Sequence, residues 1–403
     1  MYVASLRLVN FRSYRDSGVR FSPGINVIVG ENASGKTNLL EAAFFALRAA
    51  SPRTSREEKV VRWGEGFARV AAEVGQLLGE APPPVTEYPA GDEPRRAGAE
   101  RLHTVEVAYV PGQGKRIRFD RVEVQNLGDL RRRAHAFIFV PESLLLVKGS
   151  PARRRAHLDA FAATIDPAYE ATAQELQLAL RQRNAQLLRV REGSDAAGLD
   201  AWDAQLARVG VELGRRRREL VARLAARFAP FAAALAPAGG DFTLLLASHL
   251  DDTGLDEGAY LAALRSRRAR EVARGASAFG PHRDDLQVVE RQADGRLRDL
   301  RLFGSQGEQR AAVLALLLAE RAVAEEATGD LGTLFLDDVM SELDDARRRL
   351  LARVLTGGGQ SIITTTNLLY FTGEELTGAR VIELPLLECR GEGEDVPEAA
   401  NDA

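Results

Sequence analysis

The sequence predicts an α/β protein in which a sheet domain assembled from both ends of the chain is interrupted by a second, mostly helical domain. Two motifs and one change of periodicity predict it. Near the N-terminus a nearly continuous apolar run, Gly24 to Val29, passes through a glycine loop into an apolar helix. Near the C-terminus a second apolar run, Thr333 to Leu336, ends in two acids. Between about Pro151 and Pro237, leucines recur by threes, fours and sevens (Leu176, Leu180, Leu187, then Leu206, Leu213, Leu220, Leu224), the spacing of helices.

The elements follow in order. Val3 to Leu8 and Gly24 to Val29 read as strands, the second suited to burial on both faces. A helix runs from about Gly35 to Ala50. From Gly79 to Glu100, Pro, Gly and charge dominate, too polar to order by burial, so a mobile surface insertion is expected. Strands return over Thr104 to Tyr109, Lys115 to Phe119 and Phe137 to Val140. The helical stretch is broken by Gly193-Ser194-Asp195 and Gly198, so it should fold back as an antiparallel hairpin, with an arm of 25 residues reaching roughly 38 Å. Short strands are expected over Phe242 to Leu246, Leu286 to Glu290 and Leu297 to Leu302. A helix from Gly307 to about Ala324 and strands over Thr333 to Leu336 and Ser361 to Thr365 complete the fold. The domain boundaries expected are 1–139 with 323–388, 140–322 between them, and a disordered acidic tail over 389–403.

Composition narrows the class. With 403 residues, 45% hydrophobic and 28% charged, the chain is neither collagenous, wholly disordered nor membrane-embedded. A formal charge of −3 leaves any hold on nucleic acid to local basic patches. One cysteine, Cys389, makes no internal disulfide, and the five histidines have no cysteine partners at zinc spacing. A reducing compartment without structural zinc is expected. No signal-like N-terminus or apolar stretch of about 18 residues occurs, so a cytoplasmic protein with no membrane partner is expected.

Gly30-Glu31-Asn32-Ala33-Ser34-Gly35-Lys36-Thr37 fits G-x-x-x-x-G-K-S/T between strand and helix. That context marks a phosphate-binding loop: backbone N–H groups and the helix N-terminus hold the anion, Lys36 reaches the β/γ-phosphates, and the Thr37 hydroxyl ligates Mg²⁺. In the acid pair, Asp337 would hold Mg²⁺ and Asp338 would orient or deprotonate the attacking water, although acids after a strand also make a plain solvated turn. Ser305-Gln306-Gly307-Glu308 opens a long apolar helix, either as a second anion-binding helix start or as an N-cap with a capping box.

This order and spacing resemble the ABC-type ATPases, in which the Ser-x-Gly turn of one subunit covers the γ-phosphate held by another. The resemblance implies an ABC-type P-loop ATPase head with short antiparallel helical arms, and ATP-dependent homodimerisation. It implies ATP with Mg²⁺ as cofactors, catalytic roles for Lys36, Asp337, Asp338 and Ser305, and metal ligation by Thr37 and Asp337. Nucleotide contacts would come from Arg12, Gly30, Glu31, Asn32, Ala33, Ser34, Gly35, Lys36, Thr37, Asn38, Ser305 and Gly307. Asn10-Phe11-Arg12-Ser13 is similar to the opening of the chromosome-maintenance and DNA-repair branch, in which the residue matching Arg12 contacts nucleotide. Within it, Pro141 to Pro151, Arg154 to Asp159 and Gly280 to Asp285 resemble the RecF family of bacterial recombination mediators. That resemblance spans essentially the whole chain. It implies a weak DNA-dependent ATPase that binds duplex and gapped DNA in repair and replication, and that loads RecA together with RecO and RecR.

Several positions depart from the patterns. His157 stands where the family usually has an aromatic residue, Asp338 replaces the glutamate usual in the ABC class, and Thr366 falls at the usual histidine switch. Shorter or absent groups predict slow hydrolysis. A clamp with ATP as a structural ligand and a transport ATPase are the rival readings, and the Asn10-Phe11-Arg12 opening counts against the second. The basic runs Arg131 to Arg133, Arg153 to Arg155, Arg215 to Arg218 and Arg265 to Arg274 either meet backbone phosphates or form solvated helix faces. No aromatic interleaves with them, so duplex backbone is expected over stacking on single strands.

Overall fold

Along the chain the first segment forms β1 (Tyr2–Phe11), β2 (Tyr14–Arg20), β3 (Ile25–Val29), α1 (Lys36–Arg48), β4 (Ala68–Gly75), β5 (His103–Val110), β6 (Gly114–Phe119), β7 (Val122–Glu123), α2 (Leu127–Arg133) and β8 (Ala136–Phe139). The middle segment forms α3 (Leu145–Lys148), α4 (Pro151–Ile165), α5 (Pro167–Arg191), α6 (Gly198–Leu235), β9 (Phe242–Ala247), α7 (Glu257–Arg274), β10 (Asp285–Arg291), β11 (Leu297–Asp299), α8 (Leu300–Phe303) and α9 (Gln306–Thr328). The last adds β12 (Thr333–Leu336), α10 (Asp345–Thr356), β13 (Gln360–Thr365) and β14 (Arg380–Glu383). These elements belong to a computed structural model that describes residues 1–75, 102–236, 240–372 and 377–386. The expected insertion from Gly79 to Glu100, Cys389 and the acidic tail lie outside the described residues.

Two compact units result, one from Met1–Val140 with Leu331 onward, the other from Pro141–Asp330. The return crossing falls at Leu331 and not at 323, because α9 continues past Ala324 to Thr328 and ends on the left-handed Gly329.

In the first unit, five parallel strands in the order β14-β3-β13-β12-β8 form one sheet. Its inner strands β12 and β13 are buried throughout; β12 accordingly reads as an apolar run, whereas β13 buries the polar Gln360, Ser361, Thr364 and Thr365 around Ile362 and Ile363. The register pairs Ile28 with Thr364 and Leu336 with Ile363, bringing the carboxyl ends of β3, β12 and β13 side by side. A second sheet, β2-β1-β4-β5-β6-β7, is antiparallel. Val3, Leu6, Leu8 and Phe11 of its β1 point into the core, where Leu39, Leu40, Phe45 and Leu47 of α1 are buried. The sequence reading missed β2, β4, β14 and α2. β2 and β14 have mixed polar patterns without a clean period and become strands by cross-strand pairing, whereas β4 does alternate, burying Ala68, Val70, Ala72 and Val74, and α2 is a short basic helix capped by Asn126.

In the second unit, α5 and α6 form the expected antiparallel hairpin, with Leu187, Leu206, Leu213, Leu220 and Leu224 buried. The second arm is longer than expected: α6 has 38 residues, roughly 57 Å at helical rise. The three-stranded sheet β11-β10-β9 carries the later strands. Only Leu297–Asp299 of the expected Leu297 to Leu302 strand is extended, because Asp299 caps the short helix α8 through the Arg301 N–H. The basic segment around Arg265 is helix α7, which the sequence reading did not place.

The basic runs are not uniformly solvated. Arg217 is buried and donates to Asp284 at 2.7 Å, Asp159 at 2.8 Å and the Pro281 carbonyl at 2.7 Å. Arg154 pairs with both oxygens of Asp285 at 2.7 and 2.8 Å. Arg183 holds Asp203 and Glu271 at 2.6 and 2.7 Å, all three buried. The Arg154 to Asp159 and Gly280 to Asp285 segments are therefore locked together by internal ion pairs. Of the histidines, His135 is buried, and burial pushes the His282 imidazole down to about 4.

Candidate functional site

β3 delivers the chain into the glycine loop, and α1 begins at Lys36. Tight wrapping explains the loop's small residues. A Cβ on Gly30 would stand 2.6 Å from Ser34 Oγ, and Gly35, at φ +104°, has the Tyr14 hydroxyl where a Cβ would meet it at 2.9 Å. Tyr14 donates to the Gly35 carbonyl at 3.2 Å and holds the turn from the neighbouring sheet. Lys36 is buried, and its ammonium donates to the Gly30 and Glu31 carbonyls at 2.7 Å each. Ser34 Oγ is buried with no partner. An orphaned hydroxyl and a buried ammonium in one loop of small residues fit a bound phosphate chain. Glu31, Asn32 and Ala33 form the exposed crest, with Ala33 left-handed at φ +65°.

At the end of β12 the Asp337 carboxylate accepts from Thr37 Oγ1 at 2.9 Å to each oxygen, and from Thr364 Oγ1 at 2.7 Å. Burial holds this carboxyl above its ordinary pKa; the two threonine hydroxyls oppose that shift and Asp338 adds to it. Hydroxyl and carboxylate oxygens side by side are the donor set that Mg²⁺ takes beside nucleotide phosphates. Asp338 is left-handed at φ +47°, with Oδ1 buried and unpartnered, and its N–H donates to Thr364 Oγ1 at 2.9 Å. One hydroxyl of β13 thus touches both acids. Thr364 carries no motif signal, since only strand register brings it there.

Arg12 is engaged with α1. Its guanidinium donates to both Glu41 oxygens at 3.0 and 2.7 Å and to the Lys59 carbonyl at 2.6 Å. Glu41 is buried and also accepts from Arg53, which bonds the Asn38 side-chain oxygen at 3.1 Å. Asn38 in turn donates to Ser13 Oγ at 3.0 Å. Glu41 and Arg53 escaped the sequence reading because an acid and a base twelve residues apart on a helix and loop look like ordinary surface charge.

In the second unit, Ser305 caps α9 with a full capping box. Its Oγ accepts from the Glu308 N–H at 3.3 Å, and its own N–H donates to Glu308 Oε2 at 2.6 Å. Burial works against the Glu308 carboxylate, yet the Ser305 bonds and Arg298 at 2.6 Å hold it below its ordinary value. Ser305, Gln306 and Gly307 are exposed, as are Leu302 and Phe303 just before them.

The family model described as "RecF/RecN/SMC N terminal domain" matches residues 2–380. The chain is 38% identical over 389 residues to the DNA replication and repair protein RecF of Heliobacterium modesticaldum, covering 95% of this chain and 97% of that one. It is 32% identical over 375 residues to the RecF of Bacillus subtilis, covering 91% and 94%. A solved structure of the recombination mediator protein RecF with ATP, in the RecFOR pathway, superposes with a TM-score of 0.76 at 27% identity, covering 91% and 92%. An Smc head domain from Pyrococcus furiosus shares the fold, at a TM-score of 0.53 and 17% identity over 96% and 94%. Among the described residues no helix is long and apolar enough to cross a membrane. The chain belongs to the RecF family of DNA replication and repair proteins, built on the SMC-like ABC ATPase head.

Proposed function

We propose that ATP closes two copies of this chain around duplex DNA at the edge of a single-strand gap, that slow hydrolysis reopens them, and that the bound protein acts with RecO and RecR in loading RecA. The observation that carries the reading is the Thr37–Asp337–Thr364 hydrogen-bonded set, which ties the phosphate loop to the acid strand. In this reading Lys36, the amides of Gly30 to Asn38 and Ser34 Oγ hold the phosphates, and Arg12 borders the nucleotide. Thr37 and Asp337 hold Mg²⁺, which supplies charge neutralisation at the phosphates. Asp338 orients the attacking water from its half-buried position. Ser305 and Gly307 meet the γ-phosphate of the second copy, so the exposed capping turn matters only in the dimer.

Fluorescence anisotropy of labelled gapped duplex, with and without ATP and Mg²⁺ at two salt concentrations, tests this. ATP should tighten binding in the wild type and not in Lys36→Ala or Ser305→Arg. DNA binding indifferent to ATP in the wild type overturns the reading. Thr366 at the switch position favours a second reading, a clamp in which ATP is bound without turnover. Single-turnover hydrolysis that Asp338→Asn abolishes decides for the enzyme.

A further inference from the structure

Trp63 is 98% exposed, the most exposed of the large apolar side chains among the described residues. A fully exposed indole forgoes the burial of a large apolar surface and leaves its π-face open to stacking. The presenting turn is not loose. Val61 bridges Phe11, the Arg62 N–H donates to the Asn10 carbonyl at 2.8 Å, and the Arg62 guanidinium donates to the Ser13 carbonyl at 2.9 Å. The Glu65 N–H closes the turn on the Arg62 carbonyl at 3.0 Å, and Gly64 takes φ +88°. On the other side the Arg12 N–H donates to the Val60 carbonyl at 2.8 Å. A pinned turn presents the ring in one orientation at little ordering cost on binding.

The surroundings are basic. Arg56, Lys59 and Arg62 lie on the same segment, and Arg15 follows the hairpin turn that Arg62 grips. Arg15, Arg56 and Lys59 form no ion pair with an acid among the described residues, and all three are exposed. Of the nearby acids, Glu57 is bound to Lys115, leaving Glu58 and Glu65 against four cations. A pinned, exposed aromatic with exposed cations on its own and the adjoining segment is the pairing that grips single strands, the ring stacking on a base and the cations tracking phosphates.

We infer that the Trp63 turn stacks on an unpaired base of single-stranded DNA, with Arg15, Lys59 and Arg62 meeting the flanking phosphates. This rests on the proposed function only in taking DNA as the ligand, and it reverses the expectation that aromatic support for single strands is lacking. The sequence reading looked for aromatics inside arginine runs, whereas these cations lie on two segments of chain joined by the Arg62–Ser13 hydrogen bond.

The chain has two tryptophans, Trp63 and Trp202. In the full-length Trp202→Phe protein without ATP, a short deoxythymidylate oligomer should quench Trp63 emission to saturation, and an abasic oligomer of equal length should not. The difference between wild type and Trp63→Phe gives the same reading with Trp202 untouched. Trp63→Ala should weaken oligomer binding about five- to hundredfold, the loss of one stacked base, and Trp63→Phe should retain most of the affinity. Wild-type affinity in Trp63→Ala, or equal binding of abasic and thymidylate oligomers, overturns the inference and leaves the ring as an anchor for a protein. Gap binding that ATP does not change refutes the ATP-gated reading while leaving a quenching result standing. ATP-gated gap binding with Trp63 unquenched refutes the stacking alone.

Discussion

Replacing Thr364 by valine removes one hydroxyl from the interior of the parallel sheet and keeps the side chain's shape. That hydroxyl donates to the Asp337 carboxylate at 2.7 Å and accepts from the Asp338 N–H at 2.9 Å, and the residue is fully buried. A hydrogen bond to a charged group contributes about 1.5–3 kcal/mol, and an orphaned buried N–H costs about 1–3 kcal/mol. Partial relaxation of Asp338 out of its left-handed conformation offsets part of this, so a loss of about 2–4 kcal/mol in folding stability is expected. The larger effect should fall on turnover, because the hydroxyl positions both acids at once. Single-turnover hydrolysis should slow about ten- to hundredfold, the rate equivalent of 1.4–2.7 kcal/mol. Binding of a fluorescent ATP analogue without Mg²⁺ should change little, since Lys36 and the loop amides do not touch Thr364. Thr364→Ser restores the hydroxyl and should recover most of the rate. Unchanged hydrolysis in Thr364→Val, or equal loss in Thr364→Ser with a matched melting temperature, would refute the reasoning.

Burial raises the Asp337 pKa, so its ionised form destabilises the nucleotide-free fold at neutral pH. Asp337→Asn should raise the melting temperature there, with the gain shrinking as pH falls to the ordinary carboxylate range, where the unfolded acid is protonated too; calorimetry across pH reads it. His282, held near 4 by burial, stays neutral when folded and takes up a proton on unfolding. Stability should therefore fall as pH drops from about 6.5 toward 4, and urea midpoints of His282→Gln should lose part of that slope. Arg217→Ala strands the buried Asp284 and should cost about 3–5 kcal/mol by urea unfolding. Ordinary surface-mutant behaviour there would show that the pair is not the keystone its burial implies.

By itself the sequence determined the local chemistry: a glycine loop between a buried strand and a helix, an acid pair after another buried strand, and a long apolar helix opened by the Ser305 turn. These are legible because each needs particular residues at fixed short spacing, where backbone geometry leaves few alternatives. Four of the five parallel strands and the helical hairpin were legible as well, since burial on two faces or one leaves apolar runs or a period in the chain; the edge strand β14 was not. Tertiary structure alone decided which distant residues complete those groups. Parallel register, and no motif, sets Thr364 against both Asp337 and Asp338. Long-range pairing turned Arg12 toward Glu41, and Arg217 from a run of apparently solvated arginines into the interior. The exposure of Trp63 was equally invisible, because only the fold shows that none of the described residues covers it. Hydrogen bonds and ion pairs between segments far apart in the chain leave no period in the sequence, so they are legible only once folding has brought the partners together.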